Sequence, residues 1–424
     1  MADFVPQEDL ATKEVEALIR HAWSNEINYF AVQADPMVPA VGSGIIGDID
    51  AGKRSDNNEV TSIPGKVIQN IEVNGETKTV RSVTLQKTLP LQGDGYTGLT
   101  NPTNQEQVRF RYCKVYANDM GHSTSYKDWG ITSREMEKTG WKDNVKKLLA
   151  AWRGEKEGYD MRHALIWGVS PNLTDAPHSL TEAFNPQAIL LTDGALDSIQ
   201  PAYTFTPASY NTNVMNACLN AATTVAATSP TIPKLVYLAS TLEERYIMPF
   251  KWEGRELWAL YMHPKDVDIL NNFTIAGSYG AYIKDVAAFG KGDLASVIPH
   301  AAFIVSERLV IVRDKRTPLL GITDNVTYET AFMKPGRKDQ RPTVTGTTVM
   351  ACNLLMGEDA LIRFSPEPWS FHYDELNHAK DKFVSYDTAL SYQRSEYDDD
   401  NGSTSADNFL SEGSAVVLTK HIAA

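Results

Sequence analysis

Val83-Thr84-Leu85-Gln86-Lys87-Thr88-Leu89-Pro90-Leu91-Gln92-Gly93-Asp94-Gly95-Tyr96-Thr97-Gly98, with the return run Val108-Arg109-Phe110-Arg111-Tyr112, decides how this 424-residue chain is read. In the first run Val83, Leu85 and Leu89 alternate with Thr84, Gln86 and Thr88. That period of two marks a strand with one apolar face. The return run alternates again, with Arg109 and Arg111 interleaved. Between them the glycines and Asn101-Pro102-Thr103-Asn104 follow neither period and make a long tip. The product, over residues 81–118, is a two-stranded ribbon about ten residues tall, with few apolar partners nearby and marginal stability alone. It is expected to find its missing surface on another molecule.

Upstream, Leu10, Val15, Leu18, Ile19, Trp23 and Ile27 space out one face of a helix over 8–30. From Gln33 to about Pro64, prolines, glycines and a polar run give an extended arm. Asn74-Gly75, between Lys66–Val73 and Glu76–Leu91, is a strong hairpin signal.

Downstream, Thr132-Ser133-Arg134-Glu135 fits a capping box, and a helical period from Trp141 carries on to about Gly168. Gly140, Gly154 and Gly158 imply bends or close packing, with a break near Gly154. Residues 170–212 look irregular, and 214–225 a short helix. Leu257–Met262 reads as a buried strand, and His263-Pro264-Lys265-Asp266 as a helix start. Ala301–Val305 and Arg308–Val312 read as strands about a turn, and Val344–Leu355 and Ala360–Phe364 are apolar. Long strands are expected over Phe383–Tyr397 and Ala415–Ile422, flanking a solvated acidic loop from Asp398 to Ser405.

The length calls for two or three packing units. Forty Lys and Arg against 53 Asp and Glu give a net charge of −13, which argues against a protein built to grip nucleic acid. The acidic N-terminus lacks the pattern of a secretory signal, and no apolar run is long enough to span a membrane. Cys113, Cys218 and Cys352 stand far apart and odd in number, so buried free thiols are expected.

The search for chemistry finds little, and neither cofactor nor metal is expected. Phe289-Gly290-Lys291-Gly292 lacks the earlier glycine and the following Ser or Thr of a phosphate loop. Gly277-Ser278-Tyr279-Gly280 has Ala276 where a nucleophile elbow needs glycine. The Asp398 run places Gly402 one position early for a calcium loop. His372 and His378 match no zinc spacing and read as a polar surface segment. Lys334, Arg337, Lys338 and Arg341 form the densest basic patch, either a solvated loop or a contact for an anionic partner.

The order of these elements resembles the Hong Kong 97-type fold of tailed-bacteriophage major capsid proteins. Val83–Gly95 looks like the ascending side of that fold's extended loop. Leu257-Trp258-Ala259-Leu260-Tyr261-Met262-His263-Pro264-Lys265-Asp266-Val267-Asp268-Ile269-Leu270 is similar to a passage in capsid proteins of N4-like podophages, as is Asp293–Val312 to the segment that follows it. The resemblance covers most of the chain from Lys66 onward.

It implies an α+β chain in four parts. Residues 1–65 would form an N-terminal helix and arm, and 66–125 an extended β-hairpin loop with its core at 81–118. Residues 126–235 and 346–424 would form a peripheral domain with a spine helix at 132–168, and 236–345 an axial α/β domain. Lys87, Asp94, Tyr96, Arg109 and Arg111 become candidate contacts with neighbouring subunits. Some members of the fold join a Lys to an Asn between subunits, and Lys87 lies on the corresponding loop.

The implied function is structural rather than enzymatic: hexamers and pentamers forming an icosahedral shell around double-stranded DNA. The virion capsid would be assembled in the host cytoplasm, with portal, scaffolding and decoration proteins as partners. DNA contacts would be weak and non-specific, and no membrane is involved. Other readings stay open: a nanocompartment shell of the same fold, or a carbohydrate-active enzyme using the tryptophans and carboxylates. A tail fibre would show repeats or a coiled coil, and neither is visible.

Overall fold

The computed structural model describes residues 35, 37, 46–50, 59–73, 81–88, 110–127, 141–168, 170, 188–191, 196–199, 230–244, 247–276, 283–285, 298, 300–321, 349–376, 381–395, 398–399 and 413–421. Within them the chain is a mixed α+β structure dominated by strands, which form three sheets.

The first sheet is built on a long hairpin, β16 (Leu361–Leu376) and β17 (Asp381–Arg394). Its register shifts between Phe364 and Ser370, where Pro366 and Pro368 cannot donate to a ladder. β6 (Asn118–Lys127) adds antiparallel to β17, while β3 (Ile68–Glu72) and β1 (Ile46–Asp50) add parallel beyond β16. The order is β1-β3-β16-β17-β6.

The second sheet holds the ribbon: β18 (Asp398–Asp399), β5 (Phe110–Tyr116), β4 (Ser82–Thr88) and β2 (Glu59–Thr61), in that order.

The third is the largest. β11 (Ile283–Asp285), β12 (Ala301–Val305), β13 (Leu309–Arg313), β10 (Arg255–Met262), β15 (Val349–Met356), β19 (Ser414–His421), β7 (Ala188–Leu191) and β8 (Leu196–Ile199) follow one another, with β14 (Leu319–Gly321) beside β15 and β9 (Phe250–Trp252) beside β10. The strands at 349–356 and 414–421 therefore hydrogen-bond into the sheet of 255–313, and the hairpin at 361–394 belongs to the first.

β10 shows why the third sheet is buried on both faces. Leu257, Ala259 and Tyr261 point into one hydrophobic cluster, and Trp258, Leu260 and Met262 into another. The second cluster is closed by α2 (Ile232–Glu244), through Ile232, Leu235, Leu238 and Leu242, and by α3 (Pro264–Ala276), through Val267 and Leu270. α3 starts as its sequence suggests. Pro264 fills the first position, and the His263 Nδ1 accepts the Lys265 amide at 3.2 Å.

α1 (Trp141–Trp167) has 27 residues and is about 40 Å long at 1.5 Å per residue. It packs in the first cluster beside Trp369 and Tyr386 of the first sheet. Its first half is amphipathic, burying Val145 and Leu149 and exposing Lys147 and Leu148, whereas most of its second half is buried on every side.

Several expectations need correction. Asn74-Gly75 lies outside the described residues, and the strands on either side of it do not pair with each other: β3 lies between β1 and β16, β4 between β2 and β5. Residues 68–71 are all buried, so β3 needs a partner on each edge, and one hairpin supplies one. α1 runs unbroken through Gly154, and at Gly158 the glycine serves close packing against Asp35. Residues 188–199, expected to be irregular, carry the β7–β8 hairpin. α2 lies where no helix is expected from the sequence. Asp398 and Asp399 are not wholly loop but pair with Tyr112 and Arg111. The helices expected at 8–30 and 214–225 and the capping box at 132–135 lie outside the described residues.

Candidate assembly surfaces

The root of the ribbon carries its own core. Val83 pairs with Val115 and Leu85 with Cys113. All four are buried against Val60, Ile71, Ile362 and Phe364. The expectation of a ribbon without local partners is therefore wrong for 82–88 and 110–116. Strand alternation turns Cys113 and Val115 inward, not Phe110 and Tyr112, which are half-buried.

On the inward face, next along from Leu85, Lys87 stands opposite Arg111, and its Nζ lies 3.5 Å from the Asp359 carboxylate of the same chain. Asp359 occupies the turn between β15 and β16 at a φ of 58°. This turn is a junction of separate segments. Its amides at Gly357, Glu358, Asp359 and Ala360 donate to the carbonyls of Gly413, Met248, Lys66 and Val67, at 2.7, 2.7, 2.6 and 2.9 Å. A Cβ on Gly413 would meet the Glu358 carbonyl oxygen at 2.1 Å, so the approach requires glycine.

Arg111 faces Lys87 on one side and Asp399 on the other. Of the other candidate contacts, Asp94, Tyr96 and Arg109 lie outside the described residues, as do Lys334, Arg337, Lys338 and Arg341.

The buried half of α1 holds two charged networks with no motif in the sequence. In the first, Glu157 accepts from Arg153 Nε at 2.6 Å, Trp369 Nε1 at 3.0 Å and the Tyr392 hydroxyl at 2.7 Å. Arg153 reaches the Tyr386 hydroxyl at 2.9 Å and lies over the Trp369 ring. Burial opposes the charge on Glu157, but Arg153, Arg363 and these hydrogen bonds outweigh it and hold the carboxyl below its ordinary range.

In the second network Arg162 is clamped by two carboxylates: Asp35, at 2.9 and 2.7 Å, and Asp314 after β13, at 2.8 and 2.7 Å. Burial works against the guanidinium charge, but Asp314 and Asp35 more than restore it. Arg316 joins Asp35, at 3.6 Å, to Glu155, at 2.5 Å.

Asp160, one turn before Ala164, behaves differently. Burial pushes its carboxyl up to about 6, with Lys156 at 2.6 Å opposing and Glu157 adding to the shift. A carboxyl raised in the folded state contributes stability that is complete below its unfolded value of 3.8 and is lost as pH climbs through 6. Asp160→Asn does not titrate, so its stability relative to the native chain is expected to rise by about 2–3 kcal/mol between pH 3.5 and 7. Urea melts across that range check this.

Ser370, His372 and Asp387 gather on the first sheet, yet they do not form a catalytic relay. The same His372 Nε2 faces both Ser370 Oγ, at 2.9 Å, and Asp387 Oδ1, at 3.3 Å, where a relay needs opposite ring nitrogens. His372 is exposed, as its reading as a surface residue requires. Cys113 and Cys352 are both buried, and they are not joined to each other. Among the described residues no cluster of His, Cys, Asp and Glu is placed to hold a metal ion, and no helix is long and apolar enough to cross a membrane.

No protein-family model matches the sequence, and no curated protein matches it. Solved structures do. A chain of the capsid of Ralstonia phage GP4 superposes with a TM-score of 0.50 at 14% identity, covering 91% of this chain and 92% of that one. A chain from the acidic stable capsid structure of Helicobacter pylori bacteriophage KHP30 gives 0.51 at 10% identity, covering 85% and 89%. One from the head of Helicobacter pylori bacteriophage KHP40 gives 0.51 at 10%, covering 85% and 88%. Over more than four-fifths of its length, this chain has the fold of phage capsid chains.

Proposed function

We propose that this chain is the major capsid protein of a tailed bacteriophage, a structural subunit and not an enzyme. It assembles with itself as hexamers and pentamers into an icosahedral shell around double-stranded DNA. One observation carries this reading: the likeness to the Ralstonia phage GP4 capsid chain runs over 91% of this chain and 92% of the other. On this reading the fold is Hong Kong 97-type and resembles that of the N4-like podophage capsid proteins.

Residues 1–65 are then the N-terminal helix and arm, 66–125 the extended loop, 126–235 with 346–424 the peripheral domain, and 236–345 the axial domain, with α1 as the described part of a spine helix at 132–168. The ribbon beyond its root lies across a neighbouring subunit through Asp94, Tyr96 and Arg109, with Arg111 at the root beside them. Lys87, paired with Asp359 in its own chain, sets the angle at which the ribbon leaves. The basic patch at Lys334, Arg337, Lys338 and Arg341 meets an anionic partner. Portal, scaffolding and decoration proteins complete the virion capsid, which forms in the host cytoplasm and touches DNA only weakly.

Deleting Gly93–Asn104 tests the reading. The root cluster is complete without the tip, so the subunit is expected to fold with an unchanged circular-dichroism melt. Negative-stain microscopy of the full chain, expressed with its scaffolding partner, is expected to show closed shells, and the deletion none. Shells at native yield from the deletion would overturn the role of the ribbon. A full chain that stays monomeric would overturn the function.

A further inference from the structure

We propose that Asp35 is a latch coupling the N-terminal arm to the turn Asp314–Thr317 through α1. Three independent features build its seat. The first is a notch. A Cβ on Gly158 would lie 2.3 Å from the Asp35 carboxyl carbon and 2.5 Å from each of its oxygens. Any larger residue at this point of the helix closes the space that the carboxylate fills. The second is burial. Asp35 is fully buried, and Met37, two residues on, belongs to the first hydrophobic cluster. The Met37 amide donates to Asp35 Oδ1 at 3.0 Å, which fixes the local turn of the arm.

The third feature is the shared guanidinium. Arg162 spends four hydrogen bonds on two carboxylates, one on the arm and one at the head of the 314–317 turn. Asp314 in turn organises that segment. Its Oδ1 accepts the Arg316 amide at 2.9 Å, and its carbonyl accepts the Thr317 hydroxyl at 2.8 Å. The chain then enters β14, and the Pro318 carbonyl accepts from Cys352 of β15. Arm, helix, turn and third sheet are thus joined by one continuous set of polar contacts.

Arg316 makes the set responsive to the arm. It is buried, and among the described residues its Nη1 and Nε have no hydrogen-bond partner and its ion-pair partners are Asp35 and Glu155. When Asp35 leaves, Arg316 keeps Glu155 alone, and half of the Arg162 clamp opens. A guanidinium so poorly satisfied in a dry site cannot hold its place, so the turn that carries it loosens with the arm. A partner that pulls on residues before 35 therefore acts on the third sheet without touching it.

Hydrogen–deuterium exchange on the unassembled full-length subunit tests this, and it stands apart from the shell-forming reading because no assembly is needed. Gly158→Ala should block the seat while favouring the helix itself, and Asp35→Asn should keep the volume while weakening the clamp. In both, exchange at Met37 and at the Arg316 and Thr317 amides is expected to rise about tenfold, with amides from Val145 to Arg153 unchanged. Faster exchange at Met37 alone would overturn the coupling. No change at Met37 would overturn the latch. Global unfolding of Asp35→Asn would overturn it too, since Asp35 would then be a requirement of the core and not a releasable contact.

Discussion

Glu157→Ala is expected to lower the unfolding free energy of the subunit by about 3–5 kcal/mol, because it leaves a buried charge without its partner. Arg153, 7% exposed, loses its carboxylate, and the Trp369 and Tyr392 donors lose their acceptor in the same stroke. Glu157→Gln retains an acceptor and the side-chain volume, so it should lose less. Urea denaturation of the two variants separates the charge from the packing, and a loss below about 1 kcal/mol for the alanine would show the network to be ornamental. The pH dependence has a defined sign. A carboxyl depressed in the folded state contributes stability that is present above its unfolded value of 4.5 and is lost as pH falls through the folded one. Acid should therefore narrow the gap between native and variant.

Arg394→Met is the second large effect, expected at about 2–4 kcal/mol, because it strands buried carbonyl groups. α1 has no basic residue in its last turn. Arg394, fully buried on β17, supplies that charge from another sheet, its Nη1 donating to the carbonyls of Leu165 at 3.0 Å and Ile166 at 3.3 Å. Methionine fills much of the space but satisfies neither carbonyl. Thermal melts should show the loss, and amide exchange should concentrate it in the last two turns of α1. A melt unchanged from the native chain would mean that water replaces the guanidinium.

The contrast between these two residues and the ribbon shows what was legible in the sequence. Alternation placed β4 and β5, apolar runs placed β10, β12 and β13, all near their positions in the structure, and the His263-Pro264 signal began α3 where it begins. Those are local properties: a period of two and a ring that fixes φ. The second half of α1 was not legible in the same way. Arg153-Gly154-Glu155-Lys156-Glu157-Gly158-Tyr159-Asp160-Met161-Arg162-His163 has the composition of a solvated helix, yet it runs through the interior. Its partners, Asp35, Asp314, Tyr386 and Tyr392, are on average more than a hundred residues away, so no window could reveal the pairing. Gly154 and Gly158 were the local clues, since a glycine inside a strong helix asks for a close neighbour, and Gly158 has one in Asp35.

The ribbon failed in the opposite sense. Its strands were found, but the core beneath its root is supplied by Val60, Ile71, Ile362 and Phe364, again from distant sequence. Of the candidate contacts, Lys87 and Arg111 were both found at that root, Lys87 paired within its own chain.

The place of β19 in the third sheet bears on when the subunit becomes complete. Residues 414–421 fill the slot between β15 and β7, with eight paired positions along β15. A chain still being synthesised carries β15 with that edge open until residue 421 has left the ribosome, so the sheet closes only after every other one of its described strands has been made. Whatever surface the third sheet presents then exists only once β19 has emerged.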